Sequence, residues 1–102
     1  MVRAKYVYHE QCFFCRYLSP FVEQLDVYED IAVKKILWNE DMDKQLSLSY
    51  FIIDGFILRD QVVLSCLLAR ELYPQLFTFD SNTELLRFLL QNPKDIPLSF
   101  KS

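Results

Sequence analysis

Two cysteines separated by two residues, Cys12-Phe13-Phe14-Cys15, are the side chains of this 102-residue chain best suited to covalent chemistry. They fall where the strand-forming run Tyr6-Val7-Tyr8 gives way to a segment with helical apolar spacing. A thiol at a helix start meets unpaired backbone N–H groups and the positive end of the macrodipole, and both favour thiolate over thiol. Cys12 is therefore expected to be the nucleophile. Cys15 returns beside it on the first turn, within disulfide reach, and its deeper place makes it the resolving thiol. The chemistry this implies is exchange: Cys12 attacks a substrate disulfide, a mixed disulfide forms, and Cys15 displaces the reduced product.

The flanking residues can modulate that pair or bind its substrate. His9, at the end of the first strand, can stabilise the thiolate or shuttle its proton, or it is a surface histidine. Glu10 opposes thiolate formation if its carboxylate lies close. Phe13 and Phe14 offer an apolar contact for a protein substrate, with at least one of them expected in the core. Arg16 reads either as a modulator of the thiols or as a surface residue. Two other readings of the cysteines stay open: a structural pair sharing a helical turn, or zinc ligands in His9-x-x-Cys12-x-x-Cys15. The zinc set lacks a nearby fourth ligand, and Cys66, which could supply one, is expected in the core. The sequence thus assigns no metal and no cofactor.

The elements that must position these residues follow from period and punctuation. Apolar residues at Phe14, Tyr17, Leu18, Phe21, Val22 and Leu25 predict a helix kinked at Pro20. Ile31 to Trp38 reads as a second strand, parallel to the first across this helical crossover. Asn39 predicts a cap for a short helix over 40–47. Tyr50 to Ile53, Asp54-Gly55 and Phe56 to Leu58 read as a hairpin closed by a type I′ turn. Asp60 is expected to cap a helix reaching about Leu72, apolar on most sides and ended by Tyr73-Pro74. Ser81 with Glu84 forms a capping box ahead of a last helix. The order β-α-β-α-β-β-α-α makes an α/β fold, a mixed four-stranded sheet flanked by helices. It occupies residues 1–92, with an irregular tail over 93–102.

Composition narrows the functions this fold can carry. A hydrophobic fraction of 52% beside 25% charged residues suits one compact domain. A single glycine, Gly55, excludes the glycine-rich phosphate loops, and a single histidine excludes zinc sites built on several histidines. With 14 acidic residues against 11 basic ones, the chain lacks the footprint of a nucleic-acid binder. No uncharged stretch approaches the length of a membrane span. Arg3 and Lys5 lead directly into a strand with no apolar signal core, so the mature chain is expected to start at Met1. Three cysteines, an odd number, fit a reduced, cytoplasmic setting.

Cys12-x-x-Cys15-Arg16-x-x-x-Pro20, after a strand and inside a βαβ unit, resembles the thioredoxin superfamily, which has a basic residue after the second cysteine and a kinking proline beyond it. Tyr8-x-x-x-Cys12-x-x-Cys15, followed by the Asp54-Gly55 hairpin and an apolar helix over 61–72, is still more similar to the glutaredoxins and to the DCC family of thiol-disulfide oxidoreductases. The resemblance covers residues 5 to about 73. It departs from the pattern in three places: residues 46–51 contain no proline, His9-Glu10 stands where the DCC pattern has Asp-Gly, and Phe13-Phe14 replaces the proline-containing pairs common between such cysteines. It implies a thioredoxin-like domain acting as a small dithiol-disulfide oxidoreductase on a protein disulfide or a low-molecular-weight thiol. The alternative is a thioredoxin-like interaction module whose thiols do not turn over.

Overall fold

The computed structural model describes residues 1–9, 13–39 and 49–94. Its first strand, β1, starts earlier than the aromatic run that marks it and covers Val2–Tyr8. Ala4 and Tyr6 are buried between exposed Arg3 and Lys5, the two-residue period of a pleated strand, while Val7 is buried on the other face in a small cluster with Tyr50. α1 spans Phe13–Gln24 and runs through Pro20, whose ring cannot donate to the carbonyl of Arg16. Its buried stripe is Cys15, Leu18 and Val22, carried on by Leu25 in the 3-10 turn Leu25–Val27. Tyr17 and Phe21 lie half-buried at the rim of that stripe.

β2, Ile31–Leu37, pairs parallel with β1 from Val2 opposite Ile31 to Tyr8 opposite Leu37. Trp38 falls just past the strand, although its N–H still donates to the Tyr8 carbonyl at 2.8 Å. β3, Tyr50–Ile53, and β4, Phe56–Arg59, form the expected hairpin. Asp54 and Gly55 take φ values of 50° and 80°, the two left-handed positions of a type I′ turn. β3 also runs antiparallel to β1, so the sheet order is β2-β1-β3-β4. The protein is α/β, with a mixed four-stranded sheet and three helices among the described residues. None of these helices is long and apolar enough to cross a membrane.

α2, Asp60–Leu72, departs from the sequence expectation at both counts. Asp60 is not its cap: Arg59 holds the extended cap position without a side-chain bond, and Asp60 is the first helical residue, turned inward. Nor is the helix covered on most sides. Asp60, Val63, Cys66 and Leu67 form one buried stripe, whereas Val62, Leu68 and Leu72 are exposed. Apolar residues outnumbered what a single contact face could take. In α3, Asn82–Gln91, the Ser81 hydroxyl accepts from the Glu84 N–H, while the Glu84 carboxylate accepts from the Asp80 N–H, one residue earlier than a strict capping box. The helix expected over 40–47 and all but Pro93 and Lys94 of the predicted tail lie outside the described residues.

One core joins the three helices to a single sheet face. Tyr6, Phe51 and Leu58 from the strands meet Leu18 of α1, Leu67 of α2, and Leu85, Leu86, Leu89 and Leu90 of α3. Each fully buried leucine contributes about 1.5–3 kcal/mol through its removal from water. Leu67 is fully buried whereas its neighbour Leu68 is 42% exposed. Leu67→Ala should therefore cost about 2–5 kcal/mol of unfolding free energy, and Leu68→Ala should stay within about 0.5 kcal/mol. Urea denaturation of the two variants checks this orientation of α2.

Candidate functional site

The hairpin register continues one residue beyond each strand. The Asp60 N–H donates to the Ser49 carbonyl at 3.1 Å, so Ser49 and Asp60 stand side by side where β3 begins and β4 ends. Alternation along the strands puts both on the face that carries Phe51 and Leu58, which is also the face of Tyr6. α1 packs over this face with Cys15 on its buried stripe. Two segments near the N-terminus and two flanking the hairpin thus bring Tyr6, Cys15, Ser49 and Asp60 into one buried polar cluster.

Its bonds are specific. The Cys15 thiol and the Ser49 hydroxyl are hydrogen-bonded, and either can donate. The His9 backbone N–H donates to Cys15 Sγ at 3.4 Å. The Tyr6 hydroxyl donates to Asp60 Oδ2 at 3.4 Å, while buried Asp60 Oδ1 has no hydrogen-bond partner among the described residues. Asp60 is 0% exposed, and burial pushes its carboxyl up from 3.8 to about 7 against the lowering effect of the Tyr6 and Ser49 hydroxyls. Burial, then the neighbouring Asp60 charge, drives the Tyr6 phenol far above its ordinary range, so it stays a donor. The Tyr6 ring is held by stacking on Phe51, with centroids 4.5 Å apart.

The sequence-marked residues separate into three groups. Cys15 lies at the centre of the cluster, and Cys12 and Glu10 lie outside the described residues. His9 reaches Cys15 through its backbone only. Its imidazole stacks on Trp38 at 4.8 Å, and buried Nε2 has no hydrogen-bond partner among the described residues. Phe13, the first residue of α1, is 76% exposed and meets half-buried Phe14 edge to face, with centroids 6.2 Å apart. Arg16 is exposed, on the solvent side of the same turn. Cys66 is buried in the core among leucines, and desolvation pushes its thiol up to about 11. Among the described residues no group of three or more His, Cys, Asp or Glu side chains is placed to hold a metal.

Sequence reading missed Tyr6, Ser49 and Asp60 as site residues. The signal was present in the hairpin: extending its alternation one step past each strand makes Ser49 and Asp60 the polar members of two otherwise apolar rows, 49-51-53 and 56-58-60. Asp60 was instead read as a helix cap, the commoner use of an aspartate at that point.

No protein-family model matches the chain, and no curated protein and no solved structure matches it.

The Asp60 environment sets a direction for stability against pH. Below about 3.8 the carboxyl is protonated whether the chain is folded or not, and the folded state bears no cost from it. As pH rises towards 7 the unfolded chain ionises while the folded one holds its proton, so stability falls, and it levels off above about 7. The full decline attributable to this group is about 4 kcal/mol. Asp60→Asn should remove that slope, leaving the variant more stable than the parent chain at pH 8 and no more stable at pH 4. Urea unfolding across pH 4 to 8 reads the difference, and parallel curves for the two proteins would contradict it.

Proposed function

We propose that this chain is a thioredoxin-like dithiol-disulfide oxidoreductase, related in design to the glutaredoxin and DCC types, in which Cys12 attacks and Cys15 resolves. The observation that carries the reading is the setting of Cys15. Its sulfur lies on the first turn of α1, buried, bonded to the His9 N–H and the Ser49 hydroxyl, and beside a carboxyl that titrates near neutrality. A cysteine serving only as core filler needs no such company, as Cys66 illustrates. The βαβ unit joined to an antiparallel hairpin in one mixed sheet supports the same reading, since it is the arrangement the motif's resemblance implies.

In the reaction, Cys12 thiolate attacks one sulfur of the client disulfide, and the other client sulfur leaves as thiolate. Cys15 then loses its proton, passed through the Ser49 hydroxyl to the Asp60 carboxylate, and its sulfur attacks Cys12 Sγ. The Cys12–Cys15 bond forms, the mixed disulfide breaks, and the second client sulfur departs. The client gains two electrons and the dithiol loses two. Asp60 in this scheme is a proton store kept dry beneath the sulfur, and a carboxyl near 7 is poised both to accept and to return a proton. Exposed Phe13 gives a protein client an apolar landing beside the thiols.

Cys15→Ser should accumulate a mixed disulfide between Cys12 and an insulin chain, or between Cys12 and a mercaptoethanol unit from bis(2-hydroxyethyl) disulfide. Intact mass spectrometry detects either adduct and shows which class of disulfide is preferred. In the parent chain, iodoacetamide should modify Cys12 at pH well below the ordinary thiol value of ~8.5, while buried Cys66 stays unmodified. Asp60→Asn should slow release of the mixed disulfide by about a hundredfold or more at neutral pH. Absence of any adduct, with Cys12 and Cys66 alkylated equally slowly, would leave an interaction module in place of an enzyme.

A further inference from the structure

The sheet face opposite the helices carries Arg3, Lys5 and Lys34, all exposed. The parallel register sets Lys5 directly beside Lys34 and Arg3 beside Ala32, on strands about 4.8 Å apart. None of the three makes an ion pair among the described residues, where the salt bridges are Lys35 with Glu23 and Arg87 with Asp30. Ala32 has too short a side chain to fill the space between the cations, and a groove of about 290 Å³ opens there. Three adjacent cations without an ion-pair partner among the described residues stand out in a chain whose net charge is -3.

The groove adjoins the outer edge of β2. Among the described residues β2 pairs with β1 alone. The Trp38 N–H bonds the Tyr8 carbonyl and the Asp30 carbonyl accepts from Val2, so the even-numbered residues of β2 turn their amides towards β1. Ile31, Val33, Lys35 and Leu37 therefore point their N–H and C=O groups outward, a row able to accept another strand. A second copy of the chain is a poor occupant. Antiparallel pairing about the strand's centre would set Lys34 against its own counterpart, and like charges directly opposite are destabilising.

We infer that β2 and the Arg3-Lys5-Lys34 groove form a docking site for an extended, carboxylate-rich segment of a partner protein, added as a fifth strand beside β2. The main chain of that segment bonds the outward amides. Its side chains alternate, so every second carboxylate lies on the cationic face, reaching across Ala32. The same lysines that discourage self-pairing select an acidic partner. A polyanion without a peptide backbone gains only the charge contacts and leaves the edge unbonded, which is why the arrangement favours protein over nucleic acid. This inference does not depend on the redox reading, since the groove uses neither cysteine nor Asp60.

Binding of a fluorescein-labelled alternating valine-glutamate octapeptide, followed by anisotropy, tests it against a valine-lysine peptide and an oligothymidylate. The glutamate peptide should bind, more weakly as salt rises, and should shift and protect the amide NMR signals of Val33, Lys35 and Leu37. Lys5→Glu and Lys34→Glu, both at exposed positions, should each weaken it about tenfold or more, and the double variant should bind the valine-lysine peptide instead. The inference is overturned if the glutamate and lysine peptides bind alike. Preference for oligothymidylate, or glutamate-peptide binding that leaves the β2 amides unmoved, would overturn it equally.

Discussion

A two-residue turn holds the buried polar cluster of this protein in register. Asp54 and Gly55 adopt the left-handed backbone that lets β3 and β4 pair with no residue to spare. A pleated strand presents alternate faces, so a slip of one residue would carry Ser49 or Asp60 from the helix-covered face to the other one. Cys15 would then lose its hydroxyl partner. Gly55 has open space where a side chain would stand, so its backbone angle, and not crowding, is what the position demands of its residue.

The cluster held by that register is costly, which bears on its purpose. Asp60 is sealed from water, and one of its oxygens has no hydrogen-bond partner among the described residues, a desolvation penalty of about 1–3 kcal/mol even for an uncharged group. Tyr6 stays protonated, so it can only donate to the carboxyl and never replaces it as a proton acceptor. A site that keeps a titratable group at a stability cost, under a sulfur already bonded to a hydroxyl, has the organisation expected of proton handling. The proposed disulfide exchange gives that proton an origin and a destination.

Both surfaces proposed for function belong to one sheet and are divided by its pleat. Tyr6, Ser49 and Asp60 face the helices, where desolvation governs their behaviour. Arg3, Lys5 and Lys34 face the other way, where charge and an unpaired edge govern. Stitching between helices leaves these two regions alone. Glu71 accepts from both Tyr17 and Asn82 to link α1, α2 and α3, and Asp30 binds Arg87 and Gln91 to fasten α3 beside β2.

Sequence by itself determined the local features: the hairpin and its turn type, the cap at Ser81, the helical stripe from Leu18 through Leu25, and the place of Cys15 at the start of a helix. Each is decided by residues within a turn or two of one another, through backbone sterics or hydrogen bonds of short span. Only the tertiary structure decided that Asp60 turns inward instead of capping α2, that His9 spends its ring on Trp38, and that α2 leaves Leu68 and Leu72 in water. Those outcomes depend on which strand edge and which helix face arrive opposite. The burial that pushes the carboxyl of an ordinary aspartate up to about 7 exists only in the folded chain.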